Sequence, residues 1–536
     1  MARRRSFCGP LALGAVAALA MSLATAAQAS TFLTTTVTRQ PMSEPGVVVA
    51  PDGTIYVDGP EGLLSSAPTS PSPVFRSEDG GATWTETPLG MRADFPGGGD
   101  SQVAIDPASG TLYMTDLWLG DSTVSVSGDK GETWQASPVQ GVVVQDRDWI
   151  ATTGNGIVYH AVHQIPLGLV VSRGSGGLVY PQSTVAATPV DQEGCECPSG
   201  DLIAEAGGGA AAGLANATEM VGLIYSTSAG GVKFARSDDS GLSFTNVAIQ
   251  GESSNETNAS FPVVANAGGG HLVASWQNMQ GESSSVAYSE SSDWGESWAP
   301  PRTLVGSGTS VYPWIAARGS KIGISLYHTS AAGTPETVPA GAQWFETYLE
   351  STDGGATFSA PVDVAPDLVA KEGPICLEGV ECSEDRELGD FQSLAIDNDG
   401  NADLAWMHVG DEESSEVLLS REGEGSGGEP SPAGTTSPEA PATLGTKGAA
   451  LTRRGARQSA AGGGSATSAG RPHARRRLRA CLTRARHAAA KQRAAARHRH
   501  GRARQRSIRA ARRRERKAVA KCRSHTQRRQ YPPNDG

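Results

Sequence analysis

Four aspartates stand at the heads of short apolar runs in this chain: Asp100, Asp148, Asp201 and Asp390. Two arginines accompany them, Arg147 in QDRDW (145–149) and Arg386 in DRELGDFQ (385–392). At the far ends of the runs that follow lie His160, His163, Trp276, His328 and His408. Paired carboxyl groups can protonate a leaving oxygen and activate water or a nucleophile, the chemistry that cleaves a glycosidic bond. Guanidinium groups fix carboxylates through two parallel hydrogen bonds. An indole face suits the C–H surface of a sugar ring. These residues are therefore the candidate ligand-binding set, with Asp148 and Asp390 as the acids to test if the chain is an enzyme. The plainer reading is that the acids and arginines satisfy one another around a wet channel. A single histidine per segment reads as a hydrogen-bonding residue rather than a metal ligand, and no metal site is expected.

Something must bring residues 300 positions apart to one place. Five octapeptides share the pattern S-x-D-x-G-x-[TS]-[WF]: SEDGGATW (77–84), SGDKGETW (127–134), SDDSGLSF (237–244), SSDWGESW (291–298) and STDGGATF (351–358). Their acids are Asp79, Asp129, Asp239, Asp293 and Asp353. The wide gap between the second and third spans two periods and contains SRGSGGLVY (172–180), a worn copy without the acid. Before each octapeptide comes an apolar run, a Gly/Asp/Asn turn and a second apolar run, as in GVVVAPDGTIYVDG (46–59) and FPVVANAGGGHLVASW (261–276). That is a β-hairpin signature. With one strand entering the octapeptide and one leaving it, each unit has four strands. A repeat of this period predicts an all-β, seven-bladed β-propeller, with six blades as the alternative count. The last unit ends at SEVLLSRE (415–422) without a fourth strand. TFLTTTVTR (31–39) is expected to supply it and close the ring, removing exposed sheet edges.

The octapeptide is the Asp-box, and with the hairpin plan it makes residues 30–422 resemble the sialidase superfamily, in particular an uncharacterised, exported branch that carries similar DR-x-W and GD-[FY]-Q stretches. The resemblance implies that each box forms the turn between the third and fourth strands of a blade, opposite the binding face. It also implies that Trp84, Trp134, Phe244, Trp298 and Phe358 plug the seams between blades. Family sialidases clamp a carboxylate with three arginines, the first in an R-I-P motif. MSEPGVVV (42–49) occupies that place here and has no arginine, which argues against a classical sialidase. What the resemblance leaves is an axial face that binds a glycan or another envelope ligand, a glycoside hydrolase acting on a non-sialic substrate, or a scaffold for protein partners.

The ends of the chain differ from its body. Arg3–Arg5, an apolar run from Leu11 to Leu23 and AQA (27–29) read as an export signal over residues 1–29. Residues 423–470 are a Gly/Ser/Pro-rich linker expected to be disordered. Residues 471–530 hold 24 Lys/Arg and one acid, Glu515, against 21 basic and 55 acidic residues elsewhere. Their Arg/Ala composition predicts a basic α-helical hairpin stapled by Cys481 and Cys522, with residues 531–536 a disordered end. Such a tail suits an anionic cell-envelope polymer better than nucleic acid, since no aromatic residues interleave the charge. The expected protein is thus a secreted monomer retained at the cell surface, without a transmembrane span. An even set of cysteines favours disulfides. For Cys195, Cys197, Cys376 and Cys382 the expectation is a cross-tie between two loop insertions or a mixed arrangement. Asp397, Asp399, Asn401 and Asp403 resemble part of a calcium loop, but no glutamate closes it. No cofactor is expected, and this segment reads as a plain turn with calcium as the alternative.

Overall fold

The computed structural model describes residues 30–60, 71–91, 97–118, 121–139, 145–164, 167–188, 199–206, 219–227, 230–251, 257–377, 382, 385–410 and 415–423. The export signal, the linker, the basic tail and Cys195, Cys197, Cys481 and Cys522 lie outside these residues. Within them the chain is nearly all strand, and a short 3-10 turn at Pro88–Met91 is the one helical segment. No helix among the described residues is long and apolar enough to cross a membrane.

The strands follow the hairpin plan. Gly46–Val49, Ile55–Asp58, Val74–Ser77 and Thr85–Glu86 pair in that order as an antiparallel sheet. The first turn closes because Gly53 takes a φ of 85° and the Asp52 carboxylate accepts the Thr54 N–H at 3.1 Å. Later groups repeat the order, with first strands at Ser101–Ile105, Gln145–Thr152, Ser199–Ala206, Thr257–Gly268, Thr309–Arg318 and Ser393–Ile396. The fifth and sixth groups form one nine-stranded sheet, joined by a single parallel pairing of Ser284 with Thr309. Each first strand packs on the first strand of the next group, and the last packs on Gly46–Val49. This closed circuit of small antiparallel sheets is a propeller.

The circuit is closed by strand pairing, as the sequence suggests. Thr31–Thr38 lies antiparallel to Ser415–Gly423, from Thr31 opposite Gly423 to Thr38 opposite Val417. Thr34 Oγ1 and Ser420 Oγ share a hydrogen bond of 2.8 Å across the pair. The final sheet thus takes one strand from the start of the chain and three from its end.

All five octapeptides form the same turn. In the first, Ser77 Oγ donates to Asp79 Oδ1 at 2.8 Å and accepts the Gly81 N–H at 2.8 Å. Asp79 accepts the Thr83 N–H at 2.8 Å and the Thr83 hydroxyl at 2.6 Å. The pattern recurs at Asp129, Asp239, Asp293 and Asp353. Two successive residues are left-handed in each box, including the non-glycine Lys130, Ser240 and Trp294. These hydrogen bonds pull the Asp79 and Asp353 carboxyls down to about 2. The worn copy instead makes a tight hairpin, Ser175 opposite Val179, with Gly176 and Gly177 left-handed.

The box aromatics fill the seams between sheets, where large rings bury the most area. Trp84 joins Val37 and Leu419 of the last sheet to Val57 of the first. Trp134 joins Tyr56 and Leu89 to Met114. Trp298 meets Phe234 edge-on at 5.4 Å, and Phe358 meets Tyr288 at 5.0 Å. Phe244 packs against the largest core cluster. Phe32, from the closing strand, does the same job against Tyr348 at 5.3 Å.

One sequence expectation changes. Cys376 and Cys382 are bonded to each other within one insertion rather than across two loops. The Cys376 N–H donates to Asp385 O at 2.6 Å, folding that insertion back so that the two Cα atoms stand 6.0 Å apart, an ordinary bridging distance. The 397–403 segment is the plain turn. Asp397 accepts the N–H groups of Asp399 and Asn401 and pairs with Arg421 at 2.6 Å, while Asp403 is buried 3.4 Å from the same arginine. Its oxygens serve the turn and a guanidinium, not a common ligand sphere.

Candidate axial site

Near the head of several first strands the ladder slips. Register breaks fall between Asp146 and Asp148, Ser260 and Val263, and Val311 and Trp314. The residues at the breaks, Arg147, Phe261 and Tyr312, have φ values of 55°, 49° and 52°. Glu44, just before the first of these strands, has 49°. A left-handed non-glycine residue costs on the order of 1–3 kcal/mol and persists where the surroundings hold it. A bulge of this kind re-aims the side chain it carries. In three of the four, proline follows: Pro45, Pro262 and Pro313. Proline has no N–H to offer the ladder, so the slip loses no hydrogen bond there.

The four re-aimed side chains meet. The Arg147 guanidinium lies 6.0 Å from the Phe261 ring and 5.4 Å from the Phe391 ring, and Phe261 meets Tyr312 edge-on at 4.8 Å. Phe391 in turn touches Trp149 at 5.4 Å and Trp314 at 6.0 Å, an aromatic bed under the charges. Arg147 Nη2 pairs with Asp390 Oδ2 at 2.8 Å, and its Nε lies 3.9 Å from Asp100. Arg386 Nη2 reaches the same Asp390 oxygen at 3.0 Å and Glu44 Oε1 at 3.3 Å. The Arg386–Asp390 loop comes so near that a Cβ at Gly389 would lie 2.5 Å from Glu44 Cγ, and Gly389 itself has φ 63°. Three carboxyl groups thus share two guanidinium groups.

Electrostatics sort the acids. Burial first, and then the charge of Asp390, raises the Glu44 carboxyl above its ordinary range. Burial and then Glu44 hold Asp100 well above its own. Burial opposes the Arg147 charge, yet Asp390, Asp100 and Glu44 together outweigh it and raise its pKa. Burial pushes the Tyr312 hydroxyl well up. Glu44 and Asp100 thus hold their protons more tightly than ordinary carboxyl groups, beside two fixed cations.

The remaining candidates are distributed elsewhere. Asp148 faces the seam between the second and third sheets, where it accepts the Thr115 hydroxyl at 2.6 Å and lies 4.0 Å from His160 Nε2. Asp201 accepts from Gln102 Nε2 at 2.9 Å and is pushed up to about 6 by burial. His163 pairs opposite Asp146 in the third sheet and is buried. His328 Nδ1 shares a hydrogen bond with Ser310 Oγ at 3.0 Å. His408 is half-buried opposite Glu416. Trp276 is corrected: its ring is fully buried in the core and its Nε1 donates to Gln250 at 3.0 Å, so it presents no platform. Among the described residues no three His, Cys, Asp or Glu side chains converge as a metal site.

Sequence reasoning missed Glu44, Phe261, Tyr312 and Phe391. It also missed Glu346, fully buried with a carboxyl held well above its usual range and no hydrogen-bond partner among the described residues. The signal for three of them was present: an X-Pro pair at the head of an apolar run, in EPGVVV, FPVVAN and YPWIAA. For Phe391 and Glu346 no pattern stood out.

No family model and no curated protein matches the chain. Solved structures do. The chain is similar to an alpha-L-arabinanase of Penicillium chrysogenum complexed with arabinobiose, at 16% identity over 73% of this chain and 98% of that one, with a TM-score of 0.41. It is similar to an alpha-L-arabinofuranosidase of Fusarium graminearum, at 14% identity over 73% and 96%, with a TM-score of 0.42. It is also similar to the NanB sialidase of Streptococcus pneumoniae, at 12% identity over 73% and 70%, with a TM-score of 0.35.

Proposed function

We propose that residues 30–422 form a seven-bladed, sialidase-like propeller that binds a glycan at the heads of its first strands. The observation that carries this reading is the convergence of four left-handed residues on one cluster of arginines and carboxyl groups. Strain repeated at one end of a scaffold, with different side chains each time, is the pattern of a binding site. Charge narrows the ligand. Arg147 and Arg386 are already engaged by Glu44, Asp100 and Asp390. A carboxylate such as that of sialic acid would have to displace one of these internal partners. An uncharged sugar would not, and it is the ligand this reading favours.

A second reading has its own support. The raised carboxyls of Glu44 and Asp100 fit a general acid, so the site also suits hydrolysis of a non-sialic glycoside. Export by residues 1–29, and retention by the basic segment 471–530, complete the proposal.

The test uses the secreted chain. Saturable binding of neutral glycans, lost in Arg386→Ala with the fold intact, supports the binding reading. Turnover of a chromogenic glycoside that disappears in Asp100→Asn supports the hydrolase. If no glycan is bound and none is turned over, the axial proposal is wrong. Deleting residues 471–536 should release the protein from cells, and unchanged retention would defeat the tether.

A further inference from the structure

The seams between sheets are filled alike, with one exception. Box aromatics or Phe32 seal six of them, but the third group has the tight Gly176–Gly177 hairpin in place of a box. In the seam between the second and third sheets Tyr180 packs against a small buried cluster of Tyr113, Val124, Val139, Ile150 and Val158. The rest of the seam is lined by polar groups. Ser122 Oγ donates to Gln145 Oε1 at 2.6 Å, and Ser172 shares a hydrogen bond of 2.8 Å with Ser183. His160 Nε2 and Asp148 Oδ1 are buried without a hydrogen-bond partner among the described residues.

A half-open cavity of about 180 Å³ lies in this seam. Its polar wall includes Gln145, His160 and Ser172, and its apolar wall includes Val170, Leu167 and Val185. Leu167 and Val185 are 45% and 37% exposed, large apolar groups left standing at its lips. Among the described residues its lining includes no Asp, Glu, Lys or Arg, and none of the lining residues belongs to the axial cluster.

We propose that this seam is a second binding site, which takes a single uncharged sugar ring. A cavity of roughly 150 Å³ accommodates benzene, so this one holds a six-membered ring with a few small substituents. The ligand must offer hydroxyls to one wall and C–H surface to the other, and a neutral one fits, because no Asp, Glu, Lys or Arg lines the cavity among the described residues. A pyranose has that division of faces. The glycan proposed for the axial site does not enter this argument, and the two sites are separable by mutation.

The test is saturation-transfer NMR on the full chain with D-glucose, D-galactose, D-mannose and N-acetylglucosamine at millimolar concentration, and with D-glucuronate as the anionic control. In Arg386→Ala, the variant that removes binding at the strand heads, binding of at least one neutral sugar should persist. Ser183→Trp, which places a ring in the cavity from an exposed outer-strand position, should weaken it at least tenfold. Val185→Trp at the lip serves the same end if the first variant misfolds. Glucuronate should bind at least tenfold more weakly. In the Arg386→Ala background, absence of any neutral-sugar binding, binding that survives both tryptophan variants, or glucuronate bound as tightly as the neutral sugars would each overturn the proposal.

Discussion

The Asp-box turns and the heads of the first strands use the same backbone device for opposite ends. Both hold non-glycine residues in the left-handed region: Lys130, Ser240 and Trp294 in the boxes, and Glu44, Arg147, Phe261 and Tyr312 at the heads. In the boxes the stabilising chemistry repeats with the geometry. Every Asp accepts the same N–H and the same hydroxyl, and the carboxyls are pulled below their usual range. At the heads the geometry repeats but the side chains do not, and the acids are buried and pushed up. Repeated geometry with repeated chemistry marks scaffold. Repeated geometry with varied chemistry marks a site.

The largest test of that contrast is Arg147→Ala. It removes one of the two guanidinium partners of buried Asp390 and the guanidinium 3.9 Å from Asp100, and breaking a buried pair costs about 3–5 kcal/mol. Denaturant unfolding should show that loss; a change under about 1 kcal/mol would mean the head cluster is not held together by its charges. On the scaffold side, Trp134→Ala should cost about 3–5 kcal/mol through the cavity it opens between the first and second sheets. Its site consequences should be small, so glycan binding measured well below the melting temperature should be retained.

The two regions should also differ in sign with pH. Asp58, buried between the first two sheets, is raised by burial to about 6, against which the Ser101 hydroxyl and the Val103 N–H work. A raised folded-state value favours the fold below about pH 4 and loses that contribution as pH rises through about 6. Asp58→Asn should therefore flatten the stability profile over that window, with a relative gain of about 3 kcal/mol at pH 7 from a shift of about two units. Box acids run the other way. Asp79 has a lowered value, so its contribution is present above about pH 4 and lost as pH falls towards about 2. Melting curves of Asp79→Asn against the parent should diverge above pH 4 and converge near pH 2; a constant gap would remove the box carboxylate from the explanation. The smallest effect is Asp239→Ala, which deletes one cap of one turn and should cost about 1 kcal/mol in denaturant unfolding.

Much of the scaffold was legible because it is local. A box needs eight consecutive residues, and its acid, hydroxyl, glycine and aromatic all act within that span or on the adjoining sheet. The strand that closes the ring was legible too, since Thr31–Thr38 alternates like a strand and the last unit lacked one. The aspartates and arginines at the heads were visible as residues but not as partners. Asp148 and Asp390 look alike in sequence, yet one faces a seam and the other two arginines. Trp276 looked like a platform because its place at a strand end says nothing about which face it turns to.

By itself the sequence determined the period, the turn chemistry and the order of strands, because each depends on neighbours within one hairpin. The tertiary structure alone decided the site. Glu44 and Arg386 are brought together across the closure of the ring, Arg147 reaches Asp390 across 243 positions, and the raised Glu44 carboxyl follows from burial that only the assembled sheets provide. Charge pairing and desolvation act through space, and no local pattern encodes which distant strand will stand opposite.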